Sequence, residues 1–364
     1  MKSPLIGAVL ASVVLPFSWV GWAAPSGGKA GAGKPAYETF PVGEATPPIV
    51  CKADSKWSYH LYLPPQYTAD RTWPAMFIMN PGGGDPGTLD RYRKGADFNG
   101  IILAVSVQSK NSYDGAGKAI SAMANDLPSR VAADPDRLMA SGFSGGARMA
   151  FALAAAARSH FIGVLPCGAG RNKEDLGNMT VYGLCGTNCF NRWDMACTDR
   201  DLPGRDNRLV FFPGVHEWAN EELIWEGMTW INASSLRGKR DPVLVKDRNA
   251  LAAKMLEQIN ADLESRPDRA FEWAGLLASL GAPESVKAKS IRDRLKSKPE
   301  VITYRAALKA QNQYVGTYFA TKPSDWVANT LPKAALKDSA KLAEKYQGTP
   351  WEEMFRRMGE PAQK

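Results

Sequence analysis

Histidine and closely paired cysteines are scarce in this sequence of 364 residues. It holds 3 histidines and 5 cysteines, and no two cysteines stand in the Cys-x2-Cys arrangement that is typical of structural zinc sites. The sequence therefore predicts no metal site, and no motif in it indicates a cofactor. Chemistry that needs an imidazole must use one of the three histidines, which are His60, His160 and His216.

Long apolar runs are also scarce, and the only one lies at the start of the sequence. Lys2 is followed by the mostly apolar stretch Leu5–Val20 and by the small residues around Ala23 and Ala24. This order is typical of a secretion signal, so we interpret residues 1–24 as a signal peptide and the Gly/Ala/Lys/Pro-rich residues 25–36 as a flexible linker. An uncleaved membrane anchor is the alternative interpretation. The expectation is a secreted or periplasmic protein with no stable membrane span after signal removal.

No block of like charge is present. The 45 basic and 37 acidic residues give a formal net charge of +8 and are interspersed along the chain. Such mixing is typical of a solvated surface rather than of a nucleic-acid-binding face, so we expect no nucleic-acid partner. The hydrophobic fraction of 45% predicts a packed core.

Residues 37–238 alternate between short apolar runs and helical stretches. This alternation predicts an α/β fold with a mostly parallel sheet and helices on both faces. In such sheets, functional groups gather outside the carboxyl ends of the strands. The expected strands are Tyr59–Leu63, Ala75–Asn80, Ile101–Val107, Met139–Gly142, Ile162–Leu165, Thr180–Leu184 and Leu209–Phe212.

Residues 239–364 form a second region, which is predicted to be all-helical. Apolar residues recur there at helical spacing, as in Leu251, Met255 and Ile259. We find no catalytic motif in this region and interpret it as a helical appendage that packs on the first region or on a protein or cell-surface partner. The expected helices are Asn249–Arg266, Asp268–Leu280, Pro283–Lys296, Pro299–Phe319 and Lys333–Tyr346.

The most informative motif is Gly142-Phe143-Ser144-Gly145-Gly146, between an apolar strand and an Ala/Met-rich helix. A serine on a sharp strand-to-helix turn is held out of the sheet with its hydroxyl exposed. Glycines on either side let the backbone crowd together there because they lack a Cβ. Ser144 is therefore the candidate nucleophile; an ordinary glycine-rich turn is the alternative.

A serine hydroxyl needs a base and donors for the oxyanion that forms. His60 lies within a predicted strand and His160 near the end of a predicted helix, whereas His216 lies in a loop after a late strand and downstream of Ser144. The order serine then histidine favours His216 as the base.

The oxyanion donors are expected from two glycine-rich turns. One backbone N–H should follow the nucleophile and the other should lie in the loop after the third strand. Gly145 fits the first position, and Gly83 or Gly84 of the run Asn80–Asp85 fits the second. A simple glycine turn is the alternative for the second loop.

Together these motifs resemble the polyhydroxybutyrate-depolymerase and feruloyl/acetyl-xylan esterase branch of the α/β-hydrolases. The resemblance rests on Trp73–Gly84, Asp134–Arg137, Gly142–Arg148 and Gly214–Trp218, and it covers roughly residues 51–234. It implies an α/β-hydrolase domain over residues 37–238 and hydrolysis of carboxylic esters through an acyl-serine, outside the cytoplasm. The substrate would be a small-molecule or polymer-linked ester.

The sequence departs from this family at the third member of the triad. The family places an aspartate in a Gly-Thr-x-Asp run, and here the matching run is Gly186-Thr187-Asn188-Cys189. Because this acid orients the histidine, its loss is serious. We favour Asp194 as the replacement. The remaining candidates are the acids Asp199, Asp201, Glu174 and Asp175, and the amide of Asn191.

Cys189 itself is expected to be structural. In an oxidising compartment it would form a disulfide with Cys185, Cys197 or Cys167 and staple the acid loop, and an odd total of five leaves one cysteine unpaired. The missing aspartate also motivates an alternative function, a catalytically impaired hydrolase fold that acts as a binding or scaffold module. Aromatic residues in the loops near these motifs suit an aromatic or sugar-linked ester, and packing is their alternative use: Tyr113, Phe143, Phe190, Trp193 and Trp218.

Overall fold

The computed structural model describes residues 37–202, 204, 206–320 and 331–363. The expected signal peptide and the expected linker both lie outside these residues. No helix within them is long and apolar enough to cross a lipid bilayer.

An eight-stranded sheet forms the centre of the first region. Its spatial order is β1-β2-β4-β3-β5-β6-β7-β8; β1 and β2 run antiparallel to their neighbours, and all later pairs are parallel. The strands are β1 (Ile49–Val50), β2 (Ser58–Tyr62), β3 (Trp73–Met79), β4 (Ile102–Ser106), β5 (Ala133–Phe143), β6 (Phe161–Cys167), β7 (Thr180–Gly186) and β8 (Arg208–Phe212). The seven expected strands are all present, and the two-residue β1 was not predicted.

Helices cover both faces of this sheet, as its buried strands require. One face packs on α1 and α5, and the other packs on α2 and α3. The helices are α1 (Pro86–Asn99), α2 (Ala116–Asp126), α3 (Gly145–Ala156), α4 (Arg192–Arg200) and α5 (Glu221–Leu236). The fold class predicted from the alternating pattern is confirmed.

The second region is all-helical, as predicted. Its helices are α6 (Pro242–Ser265), α7 (Pro267–Ala278), α8 (Ser285–Leu295), α9 (Pro299–Tyr314), α10 (Lys333–Lys345) and α11 (Pro350–Met358), and a π-helical turn at Val315–Phe319 follows α9. α6 begins seven residues before the predicted start because the Asp241 side chain accepts from the N–H groups of Val243 and Leu244, which caps the helix at that point. The nine-residue α11 was not predicted.

These helices pack on the first region in two places. α6 and α7 extend the core that α1 and α5 form against the sheet. A separate apolar cluster joins α4 and β8 to α9, α10 and α11, with Phe319 and Phe355 fully buried in it. The second cluster brings the helical region against the loop that follows β7.

Candidate active site

Ser144 occupies a strained turn at the carboxyl end of β5. Its φ of 51° and ψ of −119° are costly for a residue with a side chain, by about 1–3 kcal/mol. A Cβ on Gly142 would lie 2.6 Å from Met79 O, and one on Gly146 would collide with the same carbonyl. Only glycine fits at both positions, so the Gly-x-Ser-x-Gly pattern allows β5, the turn and α3 to pack this closely.

His216 lies in the loop after β8 and faces this turn. Its Nε2 is 2.9 Å from Ser144 Oγ. The other two histidines are placed elsewhere. His60 lies on β2, with its Nδ1 2.8 Å from Thr46 O, and His160 Nδ1 lies 3.0 Å from Pro135 O. α3 ends at Ala156, so His160 stands in the turn after the helix rather than at its end. The structure therefore brings only His216 to Ser144.

Cys189 is the partner of His216 on the opposite side of the imidazole. Its Sγ lies 3.1 Å from His216 Nδ1, and its side chain is completely buried. The Cys185 thiol donates to this sulfur, which lowers the pKa of Cys189. Burial raises the pKa, and the hydrogen bond with His216 lowers it again. The resulting pKa of Cys189 is about 6. Burial raises the pKa of Cys185 itself. Thus the pKa of Cys189 is lowered and that of Cys185 is raised, which favours Cys189 as the thiol of the pair that ionises first.

The prediction of Asp194 as the acid is not met by the geometry. Asp194 stands in the first turn of α4, where its Oδ2 accepts from Gly170 N at 2.8 Å and pairs with Arg148 Nη2 at 2.9 Å. The start of α4 directs this carboxylate toward the loop after β6, and the Cys189 sulfur occupies the position beside His216 Nδ1.

The other acid candidates also have partners away from His216. Asp175 pairs with Arg158, Asp201 pairs with Arg200, and Glu174 accepts from the backbone of residues 172 and 173. Asp199 lies on α4, where burial raises its pKa. The Asn191 amide donates to Gly168 O at 2.8 Å rather than orienting the imidazole.

The expected disulfide is not formed. None of the five cysteines forms a disulfide, and all five are buried. A hydrogen bond from Cys185 to Cys189 takes the place of the expected covalent staple. The sulfur of Cys189 thereby remains available to the histidine.

The loop that carries Cys189 is held instead by residues 357–363, and we call these contacts the C-terminal clamp. Arg192 is fully buried and donates to Thr187 O at 2.6 Å and to Glu360 O at 3.0 Å. Asn188 Nδ2 donates to Arg357 O at 3.0 Å, and Asn188 O accepts from Gln363 N at 2.7 Å. Sequence reasoning missed the clamp because its partners lie about 170 positions apart.

The glycine loop after β3 does not present the predicted oxyanion donors. Gly83 N–H donates to Asn80 O at 2.9 Å, and Gly84 N–H donates to Ser106 O at 2.9 Å. The Gly83 amide therefore closes the turn, and the Gly84 amide ties the turn to the end of β4. Gly145 begins α3, where the first N–H groups of a helix have no acceptor within it, so its amide is available.

Asn111 supplies a second polar group that sequence reasoning missed. Its backbone N–H donates to Pro81 O at 2.9 Å, which ties the loop after β4 to the glycine loop. A Cβ on Gly145 would collide with Asn111 Oδ1 and would lie 3.0 Å from Asn111 Nδ2, so the side-chain amide lies directly against the start of α3 with its oxygen nearer. The neighbouring Ser112 has a φ of 58°. A non-glycine residue in this region stores strain and is typical of functional sites.

Aromatic rings surround the imidazole. The ring of Phe190 lies 4.0 Å from that of His216, and the ring of Phe143 lies 4.6 Å from it. Phe143 also contacts Trp218 at 5.2 Å. The other two aromatic candidates pack elsewhere, Trp193 against Phe319 and Tyr113 against Trp57. Three of the five predicted aromatics thus line the site.

The sheet order, the strained serine turn and the serine–histidine pair define an α/β-hydrolase fold. Within the described residues, no group of three or more His, Cys, Asp and Glu side chains is arranged to hold a metal ion.

Comparison with known proteins finds similarity at the level of structure. No family model and no curated protein matches the chain. A substrate-bound fluorophosphonate-binding serine hydrolase F from Staphylococcus aureus is 13% identical, with 52% of this chain and 99% of that chain covered and a TM-score of 0.42. Est1E from Butyrivibrio proteoclasticus is 11% identical, with 53% and 99% covered and a TM-score of 0.42. A feruloyl esterase module from Clostridium thermocellum, complexed with sinapinate, is 13% identical, with 52% and 88% covered and a TM-score of 0.41.

Proposed function

We propose that this protein is a serine hydrolase that cleaves carboxylic esters at a Ser144–His216–Cys189 triad. The observation that carries the proposal is the continuous hydrogen-bonded line from Ser144 Oγ through both imidazole nitrogens to Cys189 Sγ, at 2.9 and 3.1 Å. Each member stands where acyl transfer requires it. Residues 1–24 support export, so the proposed location is secreted or periplasmic.

The reaction begins when Ser144 Oγ attacks the ester carbonyl carbon and its proton passes to His216 Nε2. This transfer requires a proton on Nδ1 and a free Nε2, which is the tautomer that a thiolate at Cys189 stabilises by accepting from Nδ1. The imidazolium that forms then lies between Ser144 Oγ on the Nε2 side and Cys189 Sγ on the Nδ1 side, and both groups favour its positive charge. In this way the Cys189 thiolate performs the electrostatic task of the usual carboxylate.

The tetrahedral intermediate carries an oxyanion that needs donors. The proposed donors are the Gly145 N–H, which has no acceptor within α3 because it stands at the start of that helix, and the side-chain amide of Asn111, which lies against Gly145. Asn111 Oδ1 is nearer to Gly145 than Nδ2 is, so donation from Nδ2–H requires rotation of this amide. Collapse of the intermediate expels the alcohol, which takes the proton from His216 Nε2. A water molecule, deprotonated by the same nitrogen, then releases the acid from the acyl-serine.

Active-site labelling tests the proposal directly. A fluorophosphonate probe should label the wild-type protein at Ser144 and should not label Ser144→Ala. Wild type should hydrolyse p-nitrophenyl acetate, and Ser144→Ala should lose this activity by a factor of 10³ or more. Ser297→Ala, which alters an exposed serine far from the turn, is the matched control and should behave as wild type.

The opposite outcome defines the alternative function. If neither wild type nor Ser144→Ala is labelled or hydrolyses any of a broad panel of esters, ester hydrolysis is excluded. The substitution of the usual aspartate by Cys189 would then mark a binding or scaffold protein on a hydrolase fold.

A further inference from the structure

A large cavity lies beside β8 and is separate from the candidate active site. Its volume is about 1140 Å³, and neither Ser144 nor His216 lines it. Its walls come from β8 and α5 on one side and from α7, α9 and α11 on the other. Pockets for small ligands typically measure about 300–1,000 Å³, so this cavity has room for a ligand of several linked rings.

Polar groups with unused hydrogen-bonding capacity face this cavity. Gln311 is 3% exposed, and its Nε2 has no hydrogen-bond partner among the described residues. A buried amide without a partner costs about 1–3 kcal/mol, which a ligand acceptor would recover. Tyr182 and Tyr304 also line the cavity, and neither hydroxyl forms a hydrogen bond with another described residue. These three groups would all serve a hydroxyl-rich ligand.

Ion pairs neutralise the arginines of the wall, and the acidic residues Asp199 and Glu300 also line it. Arg208 Nη2 pairs with Glu272 Oε2 at 2.9 Å, and Arg269 Nη1 pairs with Glu226 Oε1 at 3.3 Å. Burial raises the pKa of Glu226, so the wall carries little uncompensated negative charge there. An anionic ligand would find no free cation in these pairs, whereas planar guanidinium and carboxylate edges remain good partners for neutral hydroxyl groups.

Aromatic rings complete the lining. Trp230 lies beneath the Arg208 guanidinium, 4.4 Å from its ring centroid, and Trp351 lies 6.0 Å from Tyr304. Trp351 is partly exposed, and both tryptophans face the cavity. Flat apolar rings beside planar polar groups offer a surface for a ligand that is apolar on its faces and hydroxylated around its edge.

We propose that this cavity binds a neutral oligosaccharide, as a site separate from the serine. Sugar rings combine apolar faces with a rim of uncharged hydroxyls, and a chain of about three rings suits the volume. The proposal does not depend on ester hydrolysis at Ser144. It gives the helical region a role, because α7, α9 and α11 form one wall of the site.

Isothermal titration calorimetry on the full chain tests the site with xylotriose, cellotriose and maltotriose as separate probes. We expect at least one to bind wild type and Ser144→Ala equally. Gln311→Leu removes the unpaired amide at similar volume, and Tyr304→Phe removes one hydroxyl while keeping the ring. Each should weaken binding about tenfold, the equivalent of one lost hydrogen bond. Tyr113→Phe, an exposed tyrosine outside the cavity, is the matched control and should bind as wild type.

Three results would overturn the site. The first is the absence of measurable binding by any of the three trisaccharides. The second is equal affinity for the sugar in wild type and in both cavity variants. Circular dichroism checks that each variant has the native fold. If Gln311→Leu does not fold, the milder variant Tyr304→Phe decides the test alone. The third is loss of binding after fluorophosphonate labelling of Ser144, which would place the sugar at the serine. A tighter complex with a uronate-containing trisaccharide would contradict the neutral character of the ligand.

Discussion

The Cys189 sulfur lies 3.1 Å from His216 Nδ1, in the position where an α/β-hydrolase usually presents a carboxylate oxygen. A neutral thiol would be a weak partner for an imidazolium. The pKa of Cys189 is lowered, which favours a thiolate beside the imidazole. In the proposed triad, a sulfur thus replaces the carboxylate oxygen and takes over its electrostatic role.

Replacement of Cys189 tests that role. Cys189→Ala should lower kcat for p-nitrophenyl acetate by about 10²–10⁴, because the imidazole loses the group that sets its tautomer. Cys189→Asp restores a carboxylate and should retain or exceed wild-type activity. Cys51→Ala, at a buried free cysteine far from His216, is the control. Wild-type activity in a folded Cys189→Ala protein would show that the sulfur has no catalytic part.

The lowered pKa of Cys189 also predicts how stability depends on pH. The thiol pKa is about 6 in the folded protein, against an ordinary value of 9.0. Between these values the unfolded chain binds more protons at this group, so the free energy of unfolding rises with pH from about 6 to about 9, by at most about 1.4 kcal/mol per pH unit. The stabilising contribution of Cys189 is lost as the pH falls through about 6.

Urea unfolding at pH 6, 7 and 8 measures this slope. The difference between wild type and Cys189→Ala isolates the contribution of Cys189, because other titrating groups act in both proteins. We expect wild type to gain stability relative to the variant as pH rises. A difference that is constant over this range would contradict a lowered thiol pKa.

Asp194→Asn separates the structural role of this residue from the catalytic role that its sequence position suggested. The ion pair with Arg148 is largely buried, so its loss should reduce the free energy of unfolding by about 1–3 kcal/mol. Esterase kcat should change by only a few-fold, since Asp194 does not contact His216. A 10³-fold loss of kcat in a protein that stays folded would instead identify Asp194 as the acid.

Asn111→Ala tests the proposed side-chain donor to the oxyanion. Loss of one such donor costs about 10²–10³ in kcat, and KM should change little because the ground-state ester does not carry the charge. Lys110→Ala, one position earlier in the same loop, is the matched control for loop disturbance. Equal reductions in both variants would show that the loop, and not the amide, matters.

Much of the fold could be predicted because its signals are local. The apolar runs of the strands and the Gly142–Gly146 turn are set by neighbouring residues, and the order of Ser144 and His216 follows the topology. These features depend on sequence patterns a few residues long.

The remaining parts of the site depend on contacts between distant segments. Asp194 was favoured from its place in the chain, yet α4 begins at Arg192 and directs that carboxylate to Arg148. Gly83 and Gly84 have the expected composition, but backbone hydrogen bonds use their amides. Asn111 reaches Gly145 only once β4 and β5 lie in one sheet. Spacing along the chain does not report any of these orientations.

The C-terminal clamp has a consequence for the order of folding. Asn188 meets Arg357 across 169 positions of sequence, and Arg192 meets Glu360 in the same way. The serine turn and the His216 loop lie far upstream of residues 357–363, so they can form before the segment that fixes the Cys189 loop has docked. The proposed relay is therefore complete only once the end of the chain has folded back onto this loop.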